Sequence, residues 1–203
     1  MNYWPISDGT MNDIIGGMNM QQGNFTTFAA DRFGNANSAL NLNGGYTFVP
    51  PGVYFNSEFT ISAWVYPDTV GSWARLIDFG NGQYDNNVAF AFSCNIYLVP
   101  TLCMSDSSIA VFRTISSVNY FEKIWHFLTA SFDGINARMY LDGKLTQTFL
   151  SNVTQINVTR SKNYIGKSNF DWDGNSSSLV DDLRIYNRCL NDIEIQNLMM
   201  NTV

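Results

Sequence analysis

Trp125-His126-Phe127-Leu128-Thr129-Ala130-Ser131-Phe132-Asp133-Gly134-Ile135-Asn136-Ala137-Arg138-Met139-Tyr140-Leu141-Asp142-Gly143-Lys144-Leu145-Thr146-Gln147-Thr148-Phe149-Leu150 carries two Asp-Gly pairs, each set between short apolar or alternating segments. Asp-Gly readily supplies the positive φ angles of tight hairpin turns. The run therefore predicts three strands of an antiparallel meander, at Trp125–Phe132, Ala137–Leu141 and Lys144–Phe149.

Upstream, Phe59-Thr60-Ile61-Ser62-Ala63-Trp64-Val65-Tyr66 alternates with period two. Phe59, Ile61, Ala63 and Val65 fall on one face, Trp64 and Tyr66 on the other. A strand with bulk on both faces suits a central position whose second face is covered or borders a ligand groove, and Pro67 is expected to end it. Further strands are predicted around Ser38–Leu42, Tyr46–Val49, Ala74–Phe79, Val88–Phe92, Ile96–Val99, Ile109–Thr114, Asn163–Ile165 and Leu179–Tyr186, separated by Gly- and Asn-rich turns. Many short strands at such spacing predict an all-β fold, an antiparallel sandwich or barrel. One helix closes the chain. Asn191 as N-cap and Glu194 three residues on form a capping box, and Leu190 and Ile195 match the flanking hydrophobic staple.

Composition agrees. Of 203 residues, 45% are hydrophobic, ample for a core, whereas 14% are charged, well below the roughly 25% of an average soluble protein. The polar surface must come from Asn, Ser, Thr and Gly, which favour turns over helix. No repeat, linker or low-complexity tract interrupts residues 1–203, so one domain, excised from a larger protein, is expected. A net charge of −6 with scattered Lys and Arg leaves no basic face for phosphates, which argues against nucleic acid. The most apolar stretch, Val88 to Met104, is broken by Asn95 and Pro100, so no membrane insertion is expected. Met1-Asn2-Tyr3-Trp4-Pro5 lacks the charged lead and apolar core of a secretion signal.

Cys94 and Cys103 flank Pro100, and a hairpin there could bring them within disulfide reach; the alternative is two buried thiols. Cys189 reads as a small buried side chain. Glycosylation sequons at Asn24, Asn152, Asn157 and Asn175 add to an extracellular or cell-surface expectation.

Taken in order, Tyr3-Trp4-Pro5 with Asn12-Asp13, Ala39-Leu40-Asn41-Leu42-Asn43-Gly44, Phe59 to Val65, Trp125-His126-Phe127, Tyr140-Leu141-Asp142-Gly143, Ile165-Gly166, and Asp181-Asp182-Leu183-Arg184-Ile185-Tyr186-Asn187-Arg188 resemble the laminin-G-like, concanavalin-A-like jelly-roll superfamily. The segments span nearly the whole chain, apart from about Gly80 to Ser117. The resemblance implies a two-sheet antiparallel β-sandwich, one sheet convex and one concave, with neighbouring termini, to which the capping box adds a short C-terminal helix. It also implies ligands that range over carbohydrate, protein and lipid-like molecules, with several members only supporting adhesion or spacing beside neighbouring protein domains, and fold alone does not choose among them.

Related glucanases place acidic residues on alternate positions of one strand. Here only Glu58, Glu122 and Glu194 are present, far apart, whereas retaining hydrolysis needs two carboxyls about 5 Å apart. His126, the single histidine, reads as a structural strand residue. No catalytic set is expected. Hard cations take carboxylate and carbonyl oxygens, and the resemblance implies one structural calcium near the termini, with Asp13 and either Asp181 or Asp182 as ligands. Adjacent strand residues point to opposite faces, so only one of that pair is expected to coordinate. For a ligand surface, Asp171-Trp172-Asp173-Gly174 offers an indole to stack on a sugar ring and carboxylates to accept its hydroxyls. Trp73 and Tyr84 are the other candidate aromatic platforms. The reading is a non-catalytic extracellular recognition module for carbohydrate or glycoprotein; the alternative is a structural or adhesion module that binds protein partners and no sugar.

Overall fold

The computed structural model describes residues 1–95, 97–106 and 111–200. Fifteen strands and one helix follow in chain order: β1 Asn2–Trp4, β2 Gln21–Gln22, β3 Thr27–Ala29, β4 Ala39–Asn41, β5 Thr47–Val49, β6 Phe59–Val70, β7 Arg75–Gly80, β8 Val88–Ala91, β9 Thr101–Ser105, β10 Val111–Ile115, β11 His126–Phe132, β12 Asn136–Leu141, β13 Lys144–Leu150, β14 Lys162–Ile165, β15 Ser176–Tyr186 and α1 Asp192–Met200. They form two antiparallel sheets. One has eight strands in the order β13-β12-β11-β6-β15-β4-β3, with β1 also on β15; the other has seven, β10-β9-β8-β7-β14-β5-β2. This is a jelly-roll sandwich, and β1 beside β15 sets the chain's beginning against its last strand.

The sandwich core is the alternating set the sequence carries. Phe59, Ile61, Ala63 and Val65 of the first sheet meet Leu76, Ile77, Phe79, Val88, Phe90 and Leu102 of the second, all fully buried. The opposite face of β6 is covered. Trp64 packs with Phe127, Tyr140, Leu190 and Ile195 beneath α1. The capping box forms as read: Glu194 N donates to Asn191 Oδ1 at 3.0 Å, and Asn191 N donates to Glu194 Oε2 at 2.9 Å. The meander forms too, with Asp142 at φ 50° and Gly143 at φ 72° between β12 and β13.

Three expectations fail on backbone chemistry. Pro67 does not end β6, which runs on to Val70. The ladder to β11 has stopped at Val65, and the ladder to β15 slips a register beside Pro67, so its missing N–H removes no ladder bond. The strand expected at Ile96–Val99 is replaced by β9 on the far side of Pro100; Ile96 itself lies outside the described residues, as do Ile109 and Ala110 of the strand expected at Ile109–Thr114. That shift also separates the cysteines. The β8–β9 register sets Cys103 opposite Ala89, while Cys94 lies past the end of β8, paired with Tyr97. Cys94 and Cys103 are therefore free thiols and not the expected bridge.

Candidate binding groove

The expected calcium ligands are engaged by nitrogen. Asp13 Oδ1 accepts from the backbone N–H groups of Tyr3 at 2.9 Å, Ile15 at 3.1 Å and Gly16 at 2.9 Å, and Oδ2 accepts from Asn2 Nδ2 at 2.7 Å and Met18 N at 3.0 Å. Burial alone would raise the Asp13 pKa, but these donors outweigh it and hold the carboxyl below its usual range. Asp181 and Asp182 do not face opposite ways. Asp182 adopts φ 52°, the β6–β15 register jumps between Asp181 and Arg184, and the bulge turns both carboxylates onto the guanidinium of Arg32. Tyr3 Oη and Arg184 Nη2 donate to Asp182 as well. Arginine supplies the positive charge at this pair, and among the described residues no group of three or more His, Cys, Asp or Glu side chains gathers. These carboxylates do not fit the expected calcium ion.

The aromatic candidates, in contrast, come together on the outer face of the seven-stranded sheet. Across four strands Arg113, Cys103, Ala89 and Asp78 stand opposite one another in a single row. They are out of phase with the core residues Phe112, Leu102, Met104, Val88 and Phe90, so the row faces away from the core. Ala89 and Cys103 are small, and the sheet is hollow where they lie. Trp73, Tyr84, Phe170, Trp172 and Asp173 rise around that hollow and enclose a groove of about 200 Å³. This is below the roughly 300–1,000 Å³ of pockets for drug-sized ligands, a scale set for one ring.

Two loops wall the groove, and one carboxylate ties both. Asp78, with no exposed surface, accepts from Asn87 Nδ2 at 3.0 Å on the β7–β8 side. On the β14–β15 side it accepts from Asn169 N at 2.9 Å and Asn169 Nδ2 at 3.0 Å, with Ser168 Oγ 3.2 Å away. Arg160 Nε donates to Asn86 O at 2.8 Å and pins the first loop from below. The second loop closes on Ser72: Gly174 N donates to Ser72 O at 2.7 Å, and a Cβ on Gly174 would meet that oxygen at 2.8 Å, so the approach requires glycine.

The rings form a connected wall. Tyr84 and Phe170 pack edge to face at 4.8 Å between centroids, and Phe170 and Trp172 lie 5.5 Å apart. Trp172 is nevertheless 68% exposed and Tyr84 40%. Trp73 and Tyr84 both sit at φ 58°, a region that bulky residues enter only when the surroundings over-determine it. Beneath them Arg75 Nη2 donates to Asp173 Oδ2 at 2.7 Å, which Ser168 Oγ also reaches at 2.7 Å. Burial pushes the Asp173 pKa up, partly offset by Arg75.

Of the residues singled out by sequence, Trp73, Tyr84, Trp172 and Asp173 thus share one groove. Asp171 does not join them; it lines a neighbouring cleft with Lys162, Tyr164 and Lys167. Arg75, Arg113 and Phe170 were not anticipated. The two charged side chains inside the otherwise apolar strand Arg75-Leu76-Ile77-Asp78-Phe79 were the available signal; the register shift between Arg75 and Ile77, which brings Arg75 and Asp78 opposite Ala91 and Ala89 on one face, was not legible. His126 uses both ring nitrogens within the fold, Nδ1 against Asp142 Oδ2 at 2.9 Å and Nε2 accepting from Phe121 N at 3.3 Å.

A family model described as the concanavalin A-like lectin/glucanases superfamily matches residues 40–196. Among solved structures, domain 4 of AbnA, an extracellular arabinanase from Geobacillus stearothermophilus in complex with arabinotriose, superposes with a TM-score of 0.79 at 18% identity, covering 98% of this chain and 97% of that one. The botulinum neurotoxin serotype D ligand binding domain in complex with N-acetylneuraminic acid gives 0.73 at 13% identity, covering 98% and 50%. The binding domain of Paraclostridial Mosquitocidal Protein 1 gives 0.73 at 18%, covering 98% and 51%. The chain spans about half the length of the toxin binding domains it matches. Comparison with curated proteins gives no match.

Proposed function

The chain belongs to the concanavalin A-like lectin/glucanase superfamily, and from that premise we propose that it is a non-catalytic, extracellular carbohydrate-binding module whose ligand lies in the groove walled by Trp73, Tyr84, Phe170 and Trp172. The observation that carries this reading is the exposed indole of Trp172, continuous with two further rings over a hollow of single-ring size. A sugar presents axial C–H groups to such a face and hydroxyls to the polar floor, an apolar body with a few placed polar contacts. The arabinanase domain, whose fold matches over nearly the full length of both chains, is itself a complex with arabinotriose, and neighbours of this kind favour sugar over a protein partner.

Two features of the groove support binding without turnover. Glycoside hydrolysis needs two working carboxyl groups. Asp173 is bound by Arg75 and Ser168, and the Asp78 carboxylate is fully buried and held by the amides of Asn87 and Asn169. The extracellular placement rests on the kind of protein that the structural neighbours are. In the described chain no helix is long and apolar enough to cross a membrane.

A glycan array probed with the purified domain and with Trp172→Ala tests the proposal. Hits that vanish in the variant, with unfolding temperature unchanged, are expected. A blank array would turn the reading toward the adhesion module, and hits indifferent to both Trp172→Ala and Trp73→Ala would move the sugar site away from this groove.

A further inference from the structure

The groove holds hydrogen-bond donors that nothing among the described residues satisfies. Arg75 is 5% exposed and lines the hollow, and its Nη2 is taken by Asp173. Its Nε and Nη1 are buried and have no hydrogen-bond partner among the described residues. Asp78 Oδ2 lies 3.8 Å from Nε, beyond hydrogen-bond length, and its carboxylate already accepts from Asn87 Nδ2, Asn169 Nδ2 and Asn169 N. A buried donor left unmade bears the full cost of its lost hydration, more when charged, so a charged one at a groove calls for a partner that completes it.

A second guanidinium adjoins the first. The Arg113 Cζ lies 4.5 Å from the centroid of the Trp73 ring and the Arg75 Cζ 5.8 Å from the same ring. Among the described residues Arg113 forms no ion pair. Arg75 is matched by Asp173, so Arg113 is the surplus charge on the groove lining of a chain whose net charge is −6. Counting the enclosed Asp78, the charges balance. The groove therefore attracts an anion through directed N–H donors more than through a long-range field.

We propose that the groove selects a saccharide carrying a carboxylate, with the sugar ring on Trp172 and the carboxylate between Arg113 and the unsatisfied N–H groups of Arg75. This rests on the carbohydrate reading above and adds the ligand's chemical class. Guanidinium donors to a carboxylate make charge-assisted bonds about twice as strong as neutral ones, and a carboxylate accepts from several N–H donors where a hydroxyl accepts from one or two. Nε and Nη1 are buried, so the acid reaches them as side chains lining the groove give way.

The test is isothermal titration of the full chain with trigalacturonate, sialyllactose and a hyaluronan tetrasaccharide. Each is paired with its carboxyl methyl ester, and arabinotriose serves as a neutral probe. At least one acid should bind ten-fold or more tightly than its ester, and Arg113→Gln, at an exposed position, should erase that preference. Arg75→Lys, which keeps a cation for Asp173, should reduce it. Acid and ester binding equally, with Arg113→Gln neutral and Trp172→Ala abolishing both, would overturn the acidic class and leave the carbohydrate site standing. No saccharide bound by the wild type would overturn both.

Discussion

Arg75 and Asp173, 98 positions apart, meet through Nη2 and Oδ2 at 2.7 Å on the groove floor, with side chains only 6% and 5% exposed. The pair joins β7 to the loop before β15, so one contact holds both the sheet face and the groove wall. Breaking a buried pair from one side leaves a charge without a counter-charge. Arg75→Met is expected to lower stability by about 3–5 kcal/mol in urea unfolding, and Arg75→Met with Asp173→Leu to regain most of that. A double variant as unstable as the single one would show that the pair is not what matters at this position.

The hollow depends on two small side chains. Ala89→Leu keeps the strand and its core-facing neighbours Val88 and Phe90 but fills the floor between Asp78 and Arg113. Saccharide binding should fall by at least about ten-fold, or roughly 1.4 kcal/mol, while the circular dichroism spectrum is retained. Unchanged affinity would move the ligand to another face.

The acid pair on β15 makes stability depend on pH with a definite sign. Burial, then the adjacent Asp182 carboxylate, pushes Asp181 up to about 7, with Arg32 offsetting only part of this. Between the unfolded carboxyl value and about 7 the folded chain holds a proton that the unfolded chain has released, so stability falls as pH rises through that window. Asp181→Asn should flatten the slope of unfolding free energy between pH 4.5 and about 7. Asp133 acts in the opposite direction at lower pH. Burial acts against it, but bonds from Asn136, Ile135 and Arg138 bring it to about 2, so its contribution is present above the unfolded value and is lost as pH falls toward 2.

Because arginine and N–H donors already satisfy Asp13, Asp181 and Asp182, calcium and EDTA should give the same unfolding temperature, whereas a ligand of the native state would raise it. Asp13→Ala should destabilise by about 1.5–3 kcal/mol, the scale of hydrogen bonds to a charged group, equally in both buffers. A calcium-dependent rise that Asp13→Ala removes would restore the metal.

Thiol titration of the denatured, unreduced protein should report all three cysteines. A bridge between Cys94 and Cys103 would leave one, and would require the β8–β9 register to be different.

Local chemistry was legible in the chain itself. The two Asp-Gly turns, the alternation from Phe59 to Val65 and the Asn191–Glu194 capping box each act through neighbours a few residues apart, so their expected structures form almost as read. Short strands without alternation were not visible: β1 to β3 are two or three residues long and exist because a partner strand offers them hydrogen bonds.

What periodicity and turn chemistry determined, then, was an all-β fold of short strands, sandwich or barrel, and a short set of candidate aromatics, since these are properties of adjacent residues; two sheets followed from the resemblance of the ordered segments. Tertiary structure decided which of those residues meet. It aligned Ala89 with Cys103 to open a hollow, set Trp73 near Trp172 through the approach of Gly174 to Ser72, left Asp171 outside, and turned Asp181 and Asp182 together onto Arg32. Register, bulges and loop closure are relations between distant segments, and a single-residue slip in any of them exchanges which side chains face the groove.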